Sequence, residues 1–578
     1  MVNQELEQIL QRISDAEQYR DANYAELWED CYRRYRSRVR ERREGSNIFV
    51  PQTFMQCEVI KARISESLFA SRPYIAVLPR EGKDTEQAQK LQTLLDWQLN
   101  ERMDLTRIIG EQVADSVIIY GTGIVYTTWQ VKKRRIKSWS RLGNTPLKRV
   151  QESEQVLWDD PVVSPIPLAD FFVDREADSI ERARYCGHKE YRTRAQLQAL
   201  CDSGAYNIDW RMLQPYDGGR GDAFAAAGGA ADFADGDENA LYLVHHYWQD
   251  DRHVVIVNRE LCACDEENPF WHGQKPYDKC CYVQLPEQFY GMGVPEILAG
   301  LQDELNTGRN QRIDYNSLAL RRMWKLRKGC GLTARDLVWR QNGVLSVENM
   351  DDVQEINIQD IPAAAFVNEG NIKQDMQDVT GCQDIIMGLS YQRETATTTM
   401  TRDNNASLRF KVIVTAMVKD MLVPVARKCV SLDQQFMSEK RAMRLLNAPA
   451  AELFEISPDE VAGSFDLMYC GTAIDALANK ELNKERALQA YSLALRDSAY
   501  QQDQPARLRL FRRVLEALEI KDADALLPEA ALAEPQLPAA DIGGTGAGGA
   551  PAAAALAGGL RALLGKRQTA AVKGGGNR

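Results

Sequence analysis

"PEILAGLQDELNTGRNQRIDYNSLA" (295–319) is the stretch on which the reading of this chain turns. It opens on a proline, which suits a first helical turn because the missing N–H would have no partner there. A helix over these 25 residues is about 37 Å long at 1.5 Å per residue. Its apolar residues, Ile297, Leu298, Leu301 and Leu305, thin out after Asn306. Beyond that stand Arg309, Asn310, Gln311, Arg312, Asp314 and Asn316. A helix that is polar on most faces is solvated or borders an aqueous space, since it has no apolar stripe to bury.

Downstream, 320–362 reads as short, mixed and β-rich, with Asn342-Gly343 as a turn signal. Residues 363–388 read as helix ending on Gly388. Next comes "LSYQRETATTTMTRDNN" (389–405), threonine-rich and free of glycine and proline. A long apolar helix over 406–439 follows, carrying Leu408, Phe410, Ile413, Met417, Met421 and Val425, with a kink expected at Pro424. Helices are expected again over 440–527. Residues 528–578 are alanine, glycine and proline and read as a low-complexity, unstructured tail.

Upstream, residues 1–45 read as helix, with Leu6, Ile9, Leu10, Ile13 and Ala16 at helical spacing and a break near Asp21–Asn23. Seven arginines fall between Arg33 and Arg43, either a solvated face or a contact for nucleic acid or an acidic partner. Residues 46–294 mix helices, an alternating strand over 121–139 with its return, a helix at 193–204 and a β-hairpin over 239–264 turning at Asp250–Asp251. Between the last two lies a small-residue loop, 216–238. The fold class is mixed α/β, mainly α-helical.

The totals exclude several classes. A chain of 578 residues holds more than one core. No apolar run approaches the roughly 18–20 residues that cross a bilayer, so no membrane partner is expected. The N-terminus lacks a signal-peptide core, which places synthesis in the cytoplasm. Net charge is −11, so the surface as a whole does not attract nucleic acid.

Catalytic signatures are missing. "GLRALLGKRQ" (559–568) has the wrong glycine spacing for a phosphate loop, and "GTG" (121–123) opens a strand where a dinucleotide fingerprint would open a helix. Cys262, Cys264, Cys280 and Cys281 lie near His245, His246, His253 and His272, but as C-x-C and C-C pairs, without the C-x-x-C of a zinc knuckle. They read as buried thiols and hairpin-surface histidines. No metal, cofactor or catalytic residue is expected.

The order helix, basic insertion, helix, polar loop, long kinked helix resembles the portal proteins of tailed double-stranded-DNA bacteriophages. Local words are similar too. "QFYGMGVPEILAGLQDELNTGRNQRIDYNSLALRR" (288–322) resembles the entry into the first stem helix. "DDPVVSPIPLADFFVDREADSIERARYCGHKEYRTRAQL" (159–197) is similar to a wing segment, and "ETATTTMTRDNNASLRF" (394–410) to the tunnel loop and the start of the kinked helix. The resemblance covers about 50–440.

It implies N-terminal helices (1–45), a wing (46–294), a first stem helix (295–319), a clip (320–362), a second stem helix (363–388), a tunnel loop (389–405), a kinked wing helix (406–439) and a crown (440–527). It also implies a ring of such chains, usually twelve, around a central channel at one capsid vertex of the virion. DNA passes through the ring; a terminase motor docks on it first, then adaptor or tail proteins; capsid and scaffolding proteins surround it. No ATP is hydrolysed by the portal itself. Arg309, Arg312 and Asn316 are then candidates for the channel wall.

Within the loop, Tyr391, Arg393, Thr395, Thr397, Thr398, Thr399, Thr401 and Arg402 are candidates to face DNA. Glu394 and Asp403 balance its two arginines, so it touches phosphates without gripping them. Arg321, Arg322, Lys325, Arg327, Lys328, Arg335 and Arg340 oppose one acid, Asp336, and form a candidate docking patch for an acidic partner. The alternatives are another head–tail ring protein, such as an adaptor, and a metal-dependent nucleic-acid enzyme.

Overall fold

The computed structural model describes residues 2–39, 45–69, 73–80, 85–141, 148–211, 213–215, 240–320, 323–329, 349–356, 363–382, 410–437, 441–444, 453–463 and 465–469, with a few isolated positions. The loop 216–238, the whole of 389–405 with its eight candidate residues, Arg321, Arg322, Arg335, Arg340 and the tail lie outside the described residues.

The N-terminal periodicity builds α1 (Val2–Arg20) and α2 (Glu26–Tyr35). The expected break between them is a π turn, Asp21–Ala25. One inserted residue keeps the helix going while rotating its apolar stripe, so that Trp28 and Cys31 are buried. Next come α3 (Gln52–Phe69), β1 (Ile75–Pro79), α4 (Thr85–Trp97), α5 (Leu105–Arg107) and α6 (Ala114–Tyr120).

Two antiparallel strands, β2 (Thr122–Arg141) and β3 (Lys148–Ile166), form a long ribbon. A five-stranded antiparallel sheet follows in the order β4 (Phe171–Val173), β5 (Cys186–Thr193), β6 (Leu241–Trp248), β7 (Arg252–Val257) and β8 (Leu261–Glu267). Between β5 and β6, α7 (Arg194–Asp202) starts with a capping box made by Thr193 and Gln196. The expected hairpin over 239–264 therefore continues into a third strand. Strand β9 (Tyr277–Cys281) returns to pair with the base of β2.

Two Tyr-Gly-x-Gly words, "YGTG" (120–123) and "YGMG" (290–293), meet where α6 ends. Gly121 takes the left-handed conformation (φ 85°), and a Cβ there would lie 2.3 Å from the Gly291 carbonyl. Thr122 Oγ1 accepts the Gly291 N–H at 2.8 Å. Close backbone packing accounts for these glycines.

The expected helix from Pro295 is two helices: α8 (Val294–Ile297) and α9 (Ala299–Leu320), bent at the buried Leu298 (ψ 0°). A ribbon of β10 (Met323–Leu326) and β11 (Val353–Ile356) leads to α10 (Ala363–Thr380). Gly381, in the left-handed conformation, caps α10 (φ 75°), and its N–H returns to the Gln377 carbonyl. The helix thus stops before Gly388, the glycine expected to end it.

The kinked helix is present from Phe410. Pro424 offers no N–H to the carbonyl four residues back, and the helix widens into a π turn (Val418–Leu422) before α11 (Val423–Phe436). Its Val414, Met421 and Val425 join Ile60, Leu94 and Val117 in the largest core. Lys428 enters that core with a polar head, bonding Asp278 Oδ1 (2.8 Å) and the Tyr277 carbonyl (2.7 Å).

Helices were expected from 440. Up to Tyr469 the described residues instead hold β12 (Arg441–Arg444), β13 (Leu453–Ile456), a one-turn α12 (Pro458–Val461) and β14 (Phe465–Tyr469), whereas the isolated described positions Tyr491, Ser492, Ala494, Leu510, Phe511 and Val514 are helical. Strand β14 pairs with β1, and its alternation of Phe465, Leu467 and Tyr469 with Asp466 and Met468 is a strand period. The chain divides after Lys480 into a second unit, in which Tyr491 packs on Phe511 and Val514 is buried.

Candidate channel and docking surfaces

The polar half of α9 has a use inside the chain. Gln302, Asn306, Asn310 and Asp314 recur every fourth residue and share one helix face. Against that face lies an extended strap, residues 45–50, which runs through Pro51 into the start of α3. Asp314 Oδ1 accepts from Ser46 N (2.7 Å), Asn310 Oδ1 from Ile48 N (2.8 Å) and Asn306 Oδ1 from Val50 N (2.9 Å). Gln302 Oε1 accepts from Thr53 N (3.1 Å) and Thr53 Oγ1 (2.7 Å). The Asn310 and Gln302 amides return to the carbonyls of Ile48 and Val50. Four helical residues rise about 6 Å and two extended residues about 6.6 Å, so the rungs keep step. Arg34 clamps the start of α9 through Asp303 (2.7 Å) and the Ala299 carbonyl (3.1 Å). One residue of the arginine run is therefore buried, neither solvated nor free for nucleic acid.

A second face of α9 meets α10, which runs antiparallel to it. Glu369 on α10 receives Arg309 (2.9 Å), Arg312 and Lys373 (2.9 Å). Burial opposes ionisation of Glu369, but bonds from Lys373 and Arg312 outweigh it and hold the carboxyl below its ordinary range. The Arg312 guanidinium also lies 4.7 Å from the Phe366 ring centroid. Its side chain is 10% exposed, and Arg312 joins the two helices. Arg309 keeps 35% exposure, and Asn316 is exposed.

On the β10–β11 ribbon, Lys325, Arg327 and Lys328 are exposed. Arg327 approaches Asp352 at 3.5 Å while remaining 71% exposed. The three basic residues form an outward patch.

This geometry, two adjoining antiparallel helices joined through a basic ribbon and followed by a kinked helix, can be set beside known proteins. A model of the phage SU10 portal protein family matches residues 6–141 and 136–540. The chain belongs to that family. No curated protein matches it. No described helix is long and apolar enough to cross a membrane.

The four cysteines and four histidines singled out in the sequence of this portal-family chain do not converge as one cluster. Cys280 is buried beside the Met421 sulfur (3.8 Å), and burial pushes its thiol well above the usual range. Cys262 and Cys264 sit on β8. The histidines read as surface groups are mostly buried: His245, His246 and His253 expose 0%, 6% and 7%. Because side chains alternate across a strand, His245 turns toward Glu17 of α1 (3.9 Å) and His246 to the other face.

There His246 stacks on His188, its register partner on β5, at 4.8 Å between centroids. His188 and Glu190 were not singled out in the sequence. They lie more than fifty residues from His246, and only the strand register brings them together. The i,i+2 spacing of His188 and Glu190, which shares one face if the segment is a strand, was the available signal.

Proposed function

We propose that this chain assembles as a ring, of twelve copies in the family's usual manner, at one capsid vertex. The ring serves as the conduit for genome packaging and ejection. Family membership carries this reading; the paired helices α9 and α10, joined through a basic ribbon, support it. In the proposed ring the wing is 46–294, the stem 295–319 and 363–388, the clip 320–362, the kinked wing helix 406–439 and the crown 440–527.

Asn316 and the exposed part of Arg309 face the bore, while Arg312 rivets one stem helix to the other. Tyr391, Arg393, the five threonines Thr395, Thr397, Thr398, Thr399 and Thr401, and Arg402 form a low-adhesion collar around the duplex. A wall that is not strongly basic keeps DNA mobile, because every added Lys/Arg–phosphate contact raises affinity through counterion release. Arg321, Arg322, Lys325, Arg327, Lys328, Arg335 and Arg340 dock the terminase motor and then adaptor or tail proteins, by attraction to acidic surfaces. The role is structural, and the protein ends in the virion after assembly in the host cytoplasm. Deleting residues 391–403 should leave assembly intact and reduce the amount of genome packaged or retained. Capsids filled to the normal level would remove the collar from the account.

A further inference from the structure

On the face of the five-stranded sheet turned toward β2 and β9, polar groups form a continuous chain. Glu190 Oε1 meets His246 Nε2 at 2.8 Å, His246 Nδ1 meets His253 Nε2 at 3.4 Å, and His253 Nδ1 meets Glu266 Oε1 at 3.1 Å. These are three contacts between two carboxylates and two imidazoles. A neutral imidazole carries one N–H, so two rings supply two protons for three links. One link therefore places a lone pair against a carboxylate or another lone pair, unless an additional cation enters. Next to the carboxylate end lies a third imidazole, His188, whose Nδ1 meets the Tyr277 hydroxyl at 2.7 Å.

We infer that His188, Glu190 and His246 bind one divalent transition-metal ion of the zinc class, as a structural staple between the neighbouring strands β5 and β6. One ligand atom from each of the three lies within 4.8 Å of the others. Two ligands on one ion at about 2.0–2.2 Å stand roughly 3–4 Å apart, so the widest pair closes by about an ångström, within reach of a side-chain rotation. Donors of two imidazoles and one carboxylate suit zinc, with one position left for water.

The surroundings supply orientation. With His246 Nε2 on the ion, its Nδ1–H is given to His253, whose own Nδ1–H goes to Glu266. With His188 Nε2 on the ion, its Nδ1–H is given to Tyr277. Every link then has one proton or the ion, and each ligand imidazole is held by a partner through its other nitrogen. His188 and His246 are 5% and 6% exposed, while Glu190 and Glu266 reach the surface and offer an entry path. Arg192 pairs with Glu190 and supplies a competing charge, which lowers affinity for the ion. Gly187 lets β5 close on β6, since a Cβ there would meet the His246 carbonyl.

The test is zinc titration of the chelator-treated full chain by calorimetry, with cobalt absorption as the spectroscopic readout. The expected result is one ion per chain, a cobalt spectrum without thiolate charge transfer, and a raised Tm. His188→Ala and the near-isosteric Glu190→Gln should each weaken binding at least tenfold, with the far-ultraviolet circular dichroism unchanged. His253→Ala, which removes only an orienting partner, should weaken it about tenfold. Absence of stoichiometric binding would overturn the inference, leaving an imidazolium as the missing cation. Undiminished binding in Glu190→Gln, or a thiolate band implicating Cys264, would overturn it equally. None of these outcomes bears on whether the chain forms a ring.

Discussion

Helix α9 and the kinked helix from Phe410 to Phe436 are of similar length and lie in one unit, yet they use their residues in opposite ways. The kinked helix buries Val414, Met421 and Val425 and sends two charged residues, Lys428 and Asp433, into the core. Helix α9 buries two residues along its length, Gln302 and Leu305. The comparison teaches that polarity in a sequence is not the same as exposure. The amides of α9 are occupied by a strap of the same chain, and its arginines by Glu369.

The comparison can be broken most severely at the buried cation of the apolar helix. Lys428→Met leaves Asp278 buried without its cation, which should cost about 3–5 kcal/mol and lower Tm accordingly. A loss under about 1 kcal/mol would mean that the pair is not isolated from solvent. On α9 the largest effect is expected at the buried rung. Gln302→Ala removes the acceptor for Thr53 N and Oγ1 and should cost about 1–3 kcal/mol, with faster hydrogen exchange over 46–53 as the specific readout. Unchanged exchange in the strap would show that the rungs do not hold it.

Glu369 sharpens the contrast through pH. Its carboxyl is held below the ordinary range, so its stabilising effect is present above about pH 4.3 and is lost as pH falls through the depressed value. Wild type should lose more stability than Glu369→Gln between about pH 5 and about pH 3. Parallel losses would remove Glu369 as the junction between the two helices. This is the smallest of the three effects, because Arg309 and Lys373 remain partly in water.

What was legible follows the same physical division. Pro424 announced the kink because a missing N–H is a local fact. The helix over 363–380 and the capped helix at 194–202 followed from periodicity and Thr193. The strap was not read, although Gln302, Asn306, Asn310 and Asp314 stand at a visible four-residue spacing; which partner such a face has is a tertiary fact. That Arg312 meets Glu369 of α10 was not read for the same reason. His188 and His246 could not be joined from sequence, because their meeting depends on the register of β5 on β6. "FDLMY" (465–469) shows a strand period, but its five residues were absorbed into an expected run of helices.

The account rests on α9 and α10 standing side by side as staves of a hollow oligomer. Electron microscopy of the purified protein, with class averages along the symmetry axis, tests this most directly. The account predicts rings with a central opening, lined by these two helices and wide enough for a DNA duplex. Monomers or closed dimers at high protein concentration, or rings in which α9 and α10 lie away from the opening, would contradict it.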